Sequence, residues 1–354
     1  MSFLTVFCFS SALLFLFRLG HYWATKACGV HVERFSIGCG PKIVSWKNRA
    51  GTEWIISWIL LGGYVQMMGD GNVASTVSKD VPNIDVSKTM AGKSHLQRIA
   101  IIAAGPVVLC LPAFVMLIGL MTTVGDIRYS PTIGETEENS YAYQSGLRTH
   151  DRIIRMQDQP IETFEDISAV LGKTTADQPL MLMIERDDRV LSLMCAPIPH
   201  ANGFWMDKLG IGPDQSSLFY EKQSLGKALD LTLVKLDPIR MLKNFKLSSM
   251  GGPIHIARQS GHVWQQGWIP VLFFMAYLSL GLGFFNLLPL PVLDGGMIVM
   301  EMLEWVIGRP LSTRLRQGVS IMAVGLLITL MLILSWSDLV KIPAVATWVQ
   351  RFMG

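Results

Sequence analysis

The stretch Asn286-Leu287-Leu288-Pro289-Leu290-Pro291-Val292-Leu293-Asp294-Gly295-Gly296 decides how the rest of the chain is read. It ends an uncharged run over residues 269–290 that is long enough to cross a bilayer, and it ends it with two prolines, a carboxylate and two glycines. Prolines and glycines break a helix, and broken backbone at membrane depth is tolerated only where protein or a water-filled cavity covers it. A carboxylate at such a break is a functional-site candidate by default. Asp294 is therefore the first candidate site residue.

Outward from that stretch, the composition sets the class. Half the residues are hydrophobic (50%), 16% are charged, and uncharged runs of transmembrane length recur, which describes an integral membrane protein rather than a soluble enzyme. The formal net charge of +3 is too small to argue for nucleic acid. Cys8, Cys28, Cys39, Cys110 and Cys195 are scattered, so neither a disulfide framework nor a cysteine-based zinc site is expected. The apolar runs predict four membrane helices, at residues 3–27, 99–124, 269–290 and 319–336. The first lacks a basic lead-in and a cleavage site in a polar context, so it reads as a retained helix rather than a signal peptide.

The segment 286–295 resembles the third transmembrane helix of the site-2 proteases, intramembrane zinc metalloproteases, whose N-x-x-P-x-P-x-L-D-G signature it carries in full. The resemblance implies that Asp294 stands where the third zinc ligand stands, that Asn286, Pro289 and Pro291 border the substrate cavity, and that the first helix should carry H-E-x-x-H. This chain reads Phe17-Arg18-Leu19-Gly20-His21 there. The register is fixed by family words downstream: Tyr22-Trp23, then Cys28-Gly29-Val30 through Phe35-Ser36-Ile37-Gly38-Cys39-Gly40, then Gly51-Thr52-Glu53. Phe17 thus occupies the first histidine position and Arg18 the glutamate position.

The chemistry explains why this matters. Residues i and i+4 share a helix face, so two imidazoles there can hold one zinc while the glutamate takes a proton from the metal-bound water. Phe17 cannot ligate, and a guanidinium cannot act as a base. His21 and Asp294 leave two ligands where a catalytic zinc has three plus water. They read as vestigial and unoccupied, with no cofactor expected.

Residues 51–69 alternate like a β-hairpin and contain Gly62-Gly63-Tyr64-Val65, which resembles the family's membrane-dipping hairpin that takes substrate by strand addition. Residues 69–93 read as a polar loop. In the second helix Ala104-Gly105-Pro106 matches the family's A-G-P-x-x-N, except that Leu109 replaces the asparagine. Residues 130–199 resemble a single PDZ domain through Gln144-Ser145-Gly146-Leu147, Asp151-Arg152-Ile153-Ile154 and Phe164-Glu165-Asp166-Ile167, with His150 where a glycine turn is usual. Residues 224–247 read as an amphipathic surface helix. Gly252-Pro253-Ile254-His255-Ile256-Ala257 matches a further family word, and Met297 stands where the family commonly has histidine.

The expected architecture is a polytopic α-helical membrane protein with four transmembrane helices, a membrane-associated β-hairpin and one inserted PDZ-like α+β domain. Its parts are residues 1–127, the PDZ-like 128–200, and 201–354. Lys26, Arg34, Lys42, Lys47, Arg49, Lys88, Lys93 and Arg98 precede the second helix, and Arg309, Arg314 and Arg316 follow the third, which puts both segments in the cytoplasm. The PDZ-like domain then faces the periplasm or outside of a bacterial inner membrane. The leading functional expectation is a catalytically inactive homologue, a pseudoprotease that binds a membrane protein or peptide through the hairpin or the PDZ-like groove. The alternative is an active zinc-dependent protease of regulated intramembrane proteolysis with a rearranged metal site; a third possibility is a purely structural subunit. Arg18 and Asp294 are expected to form an ion pair, since arginine in a membrane helix seeks a carboxylate or the interface.

Overall fold

The computed structural model describes residues 2–68, 85–136, 140–171, 179–196, 209–235 and 252–340. Most of the loop expected over 69–93, and the expected amphipathic helix beyond residue 235, lie outside the described residues. In chain order the elements are α1 (Ser2–Ala27), β1 (Val32–Lys47), β2 (Glu53–Met67), α2 (His95–Thr123), β3 (Asp126–Tyr129), β4 (Ile133–Thr136) and α3 (Tyr141–Gln144). There follow β5 (Arg152–Met156), β6 (Gln159–Pro160), α4 (Phe164–Leu171), β7 (Leu180–Arg186), β8 (Arg189–Cys195), β9 (Ile211–Pro213), β10 (Leu218–Glu221) and α5 (Leu225–Lys235). The chain continues with α6 (Pro253–Gln265), α7 (Trp268–Asn286), α8 (Asp294–Ile307) and α9 (Thr313–Val340). It divides into two compact units, Met1–Leu117 with Asp230–Gly354, and Ile118–Leu229.

Among the described residues three helical stretches are long and apolar enough to cross a membrane: His95–Thr123, Trp268–Asn286 and Arg314–Trp336. The fourth expected span falls on α1, which has 26 residues but carries Arg18, His21 and Lys26 in its second half. The third expected span stops at Asn286, and the prolines and glycines that follow separate α7 from α8.

The expected self-contained hairpin over 51–69 is corrected. β2 bends back at Gly62 and Gly63, both at positive φ (86° and 139°), but its two limbs are parted by the first half of β1. Phe35 lies opposite Val65 on one side and Trp54 on the other, and Ile37 opposite Gly63 and Ile56; Trp46 and Lys47 pair onward with Trp54 and Glu53. The spatial order is therefore 42–47, 53–59, 32–37, 63–67, with 63–67 at an edge among the described residues. A Cβ on Gly63 would run into the Ser36 carbonyl, so the bend requires glycine there. The sheet is fastened to α1 by an aromatic cluster in which Phe35 packs against Trp54 (ring centroids 4.4 Å apart) and Tyr22 (5.4 Å). Its edge segment is fastened to α2 through Met67, Val30 and Ile101.

The second unit holds a four-stranded sheet in the order β6-β5-β7-β8, with β3 pairing β10 and β4 pairing β9. Its core is apolar and fully buried at Ile133, Ile153, Met156, Ile167, Leu182 and Ile184. Asp151, 1% exposed, accepts from the Arg148 amide (2.7 Å) and from Arg186 Nε (2.6 Å) and Nη2 (2.7 Å). His150, next to it, has φ 71°, the left-handed conformation a glycine would hold without strain.

Candidate functional site

The break after α7 places Asp294. Leu290 N donates to Leu288 O (2.7 Å) and Leu293 N to Leu290 O (2.8 Å), a tight reversal that prolines 289 and 291 favour because neither can continue a helix. α8 then starts at Asp294, and a Cβ on Gly295 or Gly296 would collide with the carbonyls of Leu287 or Leu290. Only glycines let the new helix start this close to the old one. Asp294 sits in the first turn of α8, where the helix dipole favours a negative charge, and is 7% exposed.

His21 reaches it from α1. Its Nδ1 lies 2.9 Å from the Ile101 carbonyl of α2, so Nδ1 donates and Nε2 is left facing Asp294 Oδ2 at 3.5 Å. Gly105 makes this possible, because a Cβ there would run into the His21 ring and the Phe17 ring. Asp294 Oδ2 is buried and has no hydrogen-bond partner.

One turn before His21, the Phe17 ring stands edge-on to the imidazole, centroids 4.8 Å apart. It is buried in a cluster with Leu13 of α1 and Leu109 of α2, against which Leu278 and Leu282 of α7 pack. Phe17 and Leu109 are the two positions where the family resemblance implies a histidine and an asparagine. Here they touch one apolar cluster, so the two replacements belong together: polar side chains at either place would be buried against leucines.

Arg18 points elsewhere. Residues 17 and 21 share the face of α1 turned to α2, and position 18 is rotated off it by about 100°. Its guanidinium lies 5.4 Å from the Phe17 ring centroid, and its Nε is buried without a hydrogen-bond partner. The expected Arg18–Asp294 ion pair is not formed: among the described residues Asp294 is within ion-pair distance of His21 alone. Both Arg18 and Asp294 nonetheless line one cavity of about 1020 Å³, together with His21, Val65, Met67, Pro291 and Met297.

The other sequence-predicted residues distribute around it. Val65 and Pro291 are in the cavity wall, whereas Gly62, Gly63, Tyr64, Asn286 and Pro289 are not. Asn286 spends its side-chain amide inside α7, on the Leu282 carbonyl at 2.9 Å. Sequence reasoning missed a pair of buried carboxylates on α8. Glu301 is held by His95 Nδ1 (2.7 Å) and Arg98 Nη1 (3.1 Å), and Glu304 by Arg316 Nη2 (2.5 Å) and the Leu311 amide (2.8 Å). The signal was present as two glutamates three apart in an apolar helix, which places them on one face.

The donor set does not fit a catalytic zinc. His21 and Asp294 supply two ligands, an aromatic ring fills the third place, and a guanidinium shares the cavity. Among the described residues no cluster of three His, Cys, Asp or Glu side chains could hold a metal.

Comparison with known proteins adds the context. A profile described as "Peptidase family M50" matches residues 6–332. Metalloprotease MmpA of Caulobacter vibrioides is 29% identical, the match covering 93% of each chain. A protein of Agrobacterium fabrum named "putative zinc metalloprotease" is 28% identical, again over 93% of each chain, and one of Bartonella henselae with the same description is 30% identical over 86% of this chain and 92% of its own.

Proposed function

The chain belongs to peptidase family M50, the membrane-embedded site-2 protease family, and from that premise we propose that it is a pseudoprotease that holds a transmembrane segment of another protein without cutting it. The observation that carries this reading is the apolar cluster of Phe17 with Leu109, which fills the place of a zinc ligand and of a polar cavity residue at once. With Arg18 in place of a general base, neither the metal nor the proton acceptor of the family's reaction has a counterpart here. The parts suited to holding a chain remain. The edge segment 63–67 offers backbone groups for strand addition, and Val65 and Met67 of that segment line the cavity.

The finer architecture belongs to the same proposal. α1 is the fourth membrane crossing, its polar second half turned to protein rather than lipid. Trp58 and Ile59 of the sheet are 72% and 56% exposed, as suits a sheet tip seated in the membrane interface. Basic residues keep the ends of α1 and α8 in the cytoplasm, and the second unit is a PDZ-like domain on the opposite, periplasmic side of a bacterial inner membrane.

A second reading, an active protease with a rearranged metal site, is favoured by one observation: His21 is held so that Nε2 faces Asp294, as a ligating histidine would be. Reconstitution with a single-span reporter separates the two. The pseudoprotease reading expects the reporter to be retained intact; cleavage that disappears in His21→Ala would replace it with the second.

A further inference from the structure

The cavity around Asp294 carries a charge pattern that the loss of catalysis does not explain. Two of its arginines are neutralised in place, Arg98 by Glu301 at 3.1 Å and Arg316 by Glu304 at 2.5 Å. Arg18 has no ion pair among the described residues, and its buried Nε has no partner. Asp294 Oδ2, equally buried, accepts no hydrogen bond, His21 Nε2 standing 3.5 Å from it at ion-pair rather than hydrogen-bond geometry. A buried donor without an acceptor and a buried carboxylate oxygen that accepts no hydrogen bond thus line one space of about 1020 Å³ yet do not meet. Groups left in this state cost free energy that a ligand can return.

The ligand must satisfy both. A guanidinium only donates and a carboxylate only accepts, so a simple anion would serve Arg18 alone and a simple cation Asp294 alone. A peptide unit brings a carbonyl and an amide N–H together. Inside a transmembrane helix these groups are spent on one another, but where the helix is unwound they need partners that lipid cannot give.

We propose that Arg18 and Asp294 form a backbone clamp: Arg18 donates to a carbonyl, and Asp294 accepts from an amide N–H, of an unwound stretch of a partner's transmembrane helix. This rests on the holding function proposed above and adds to it what Arg18 does. Edge segment 63–67 fixes the direction of the captured chain, since Val65 and Met67 share the cavity wall with both groups. The methionines that line the rest of the cavity, Met90, Met297 and Met300 among them, adapt to apolar side chains of varied shape. The clamp therefore reads an unwound backbone rather than a sequence.

The test uses the full chain in lipid nanodiscs and a fluorescein-labelled apolar peptide of transmembrane length with a central Asn-Pro break. A matched set replaces each central amide in turn by an ester, which deletes one N–H. The clamp predicts that one ester position weakens binding to the unaltered protein on the order of tenfold, the scale of one hydrogen bond to a charged group. It predicts that this penalty vanishes in Asp294→Ala, that Arg18→Gln weakens every probe, and that Arg18→Lys recovers part of the loss. Because the ester series is read on the unaltered chain, the result does not depend on any variant folding. If every ester binds like the parent peptide and Arg18→Gln binds normally while Gly63→Val abolishes binding, the strand-addition reading survives and the clamp is wrong. If the unaltered chain binds the parent peptide no better than empty nanodiscs do, both are wrong.

Discussion

Phe17 supports the fold beside His21, from within an apolar cluster. Its ring fills space between α1, α2 and α7, so truncation should leave a cavity that leucines 13 and 109 cannot collapse into. Phe17→Ala is expected to lower stability by about 3 kcal/mol, read as a lower melting temperature of the full chain in detergent. Wild-type melting in that variant would mean the cluster is loose. At His150 the opposite change is expected: its φ of 71° is strained for a side chain, and Gly there should stabilise the second unit by about 0.5 kcal/mol after allowing for a more flexible unfolded chain. At this scale the sequence was legible where words fixed the register. Phe17, Arg18, His21 and Asp294 were all named from it, and the structure brings His21 and Asp294 to 3.5 Å. The Arg18–Asp294 ion pair was misread because a guanidinium and a carboxylate in the right helices say nothing of azimuth, and position 18 is turned off the face that carries positions 17 and 21.

At the scale of elements, the sheet shows where local pattern runs out. Alternation over residues 51–69 indicated extended chain and the glycine pair indicated a bend, but nothing in that stretch announces that residues 32–37 insert between its limbs. Pairing partners far apart in sequence are set by packing on α1 through Tyr22, Phe35 and Trp54, which alternation does not report. The break between α7 and α8 was legible, because Pro, Gly and Asp each state their backbone requirement individually. The acidic pair on α8 was signalled by its spacing, but its partners, which come from the starts of α2 and α9, were not. That network yields a prediction. Arg316→Ala leaves Glu304, 3% exposed, with the Leu311 amide as its remaining partner, and should cost about 2 kcal/mol, Arg316 being itself half-exposed. Glu304→Gln in the same chain should restore part of it, and strictly additive losses in the double-mutant cycle would show that the two do not interact.

For the whole molecule, the family match over residues 6–332 covers nearly all of the chain, so the membrane-embedded fold class of the family extends over it. The orientation is open to direct test. In a chain whose own five cysteines are replaced, Asp188→Cys in the second unit should react with a membrane-impermeant maleimide added to intact cells, and Lys88→Cys should not. The reverse pattern would invert the topology. The central claim, that the site is a holding site and no longer a metalloprotease centre, rests on a donor set of two, His21 and Asp294, beside an aromatic ring and a guanidinium. Metal analysis of the purified full chain, after dialysis against equimolar zinc, tests it most directly: the account predicts far less than one zinc per chain, unchanged in His21→Ala and Asp294→Ala, and one tightly held zinc per chain that either substitution removes would contradict it.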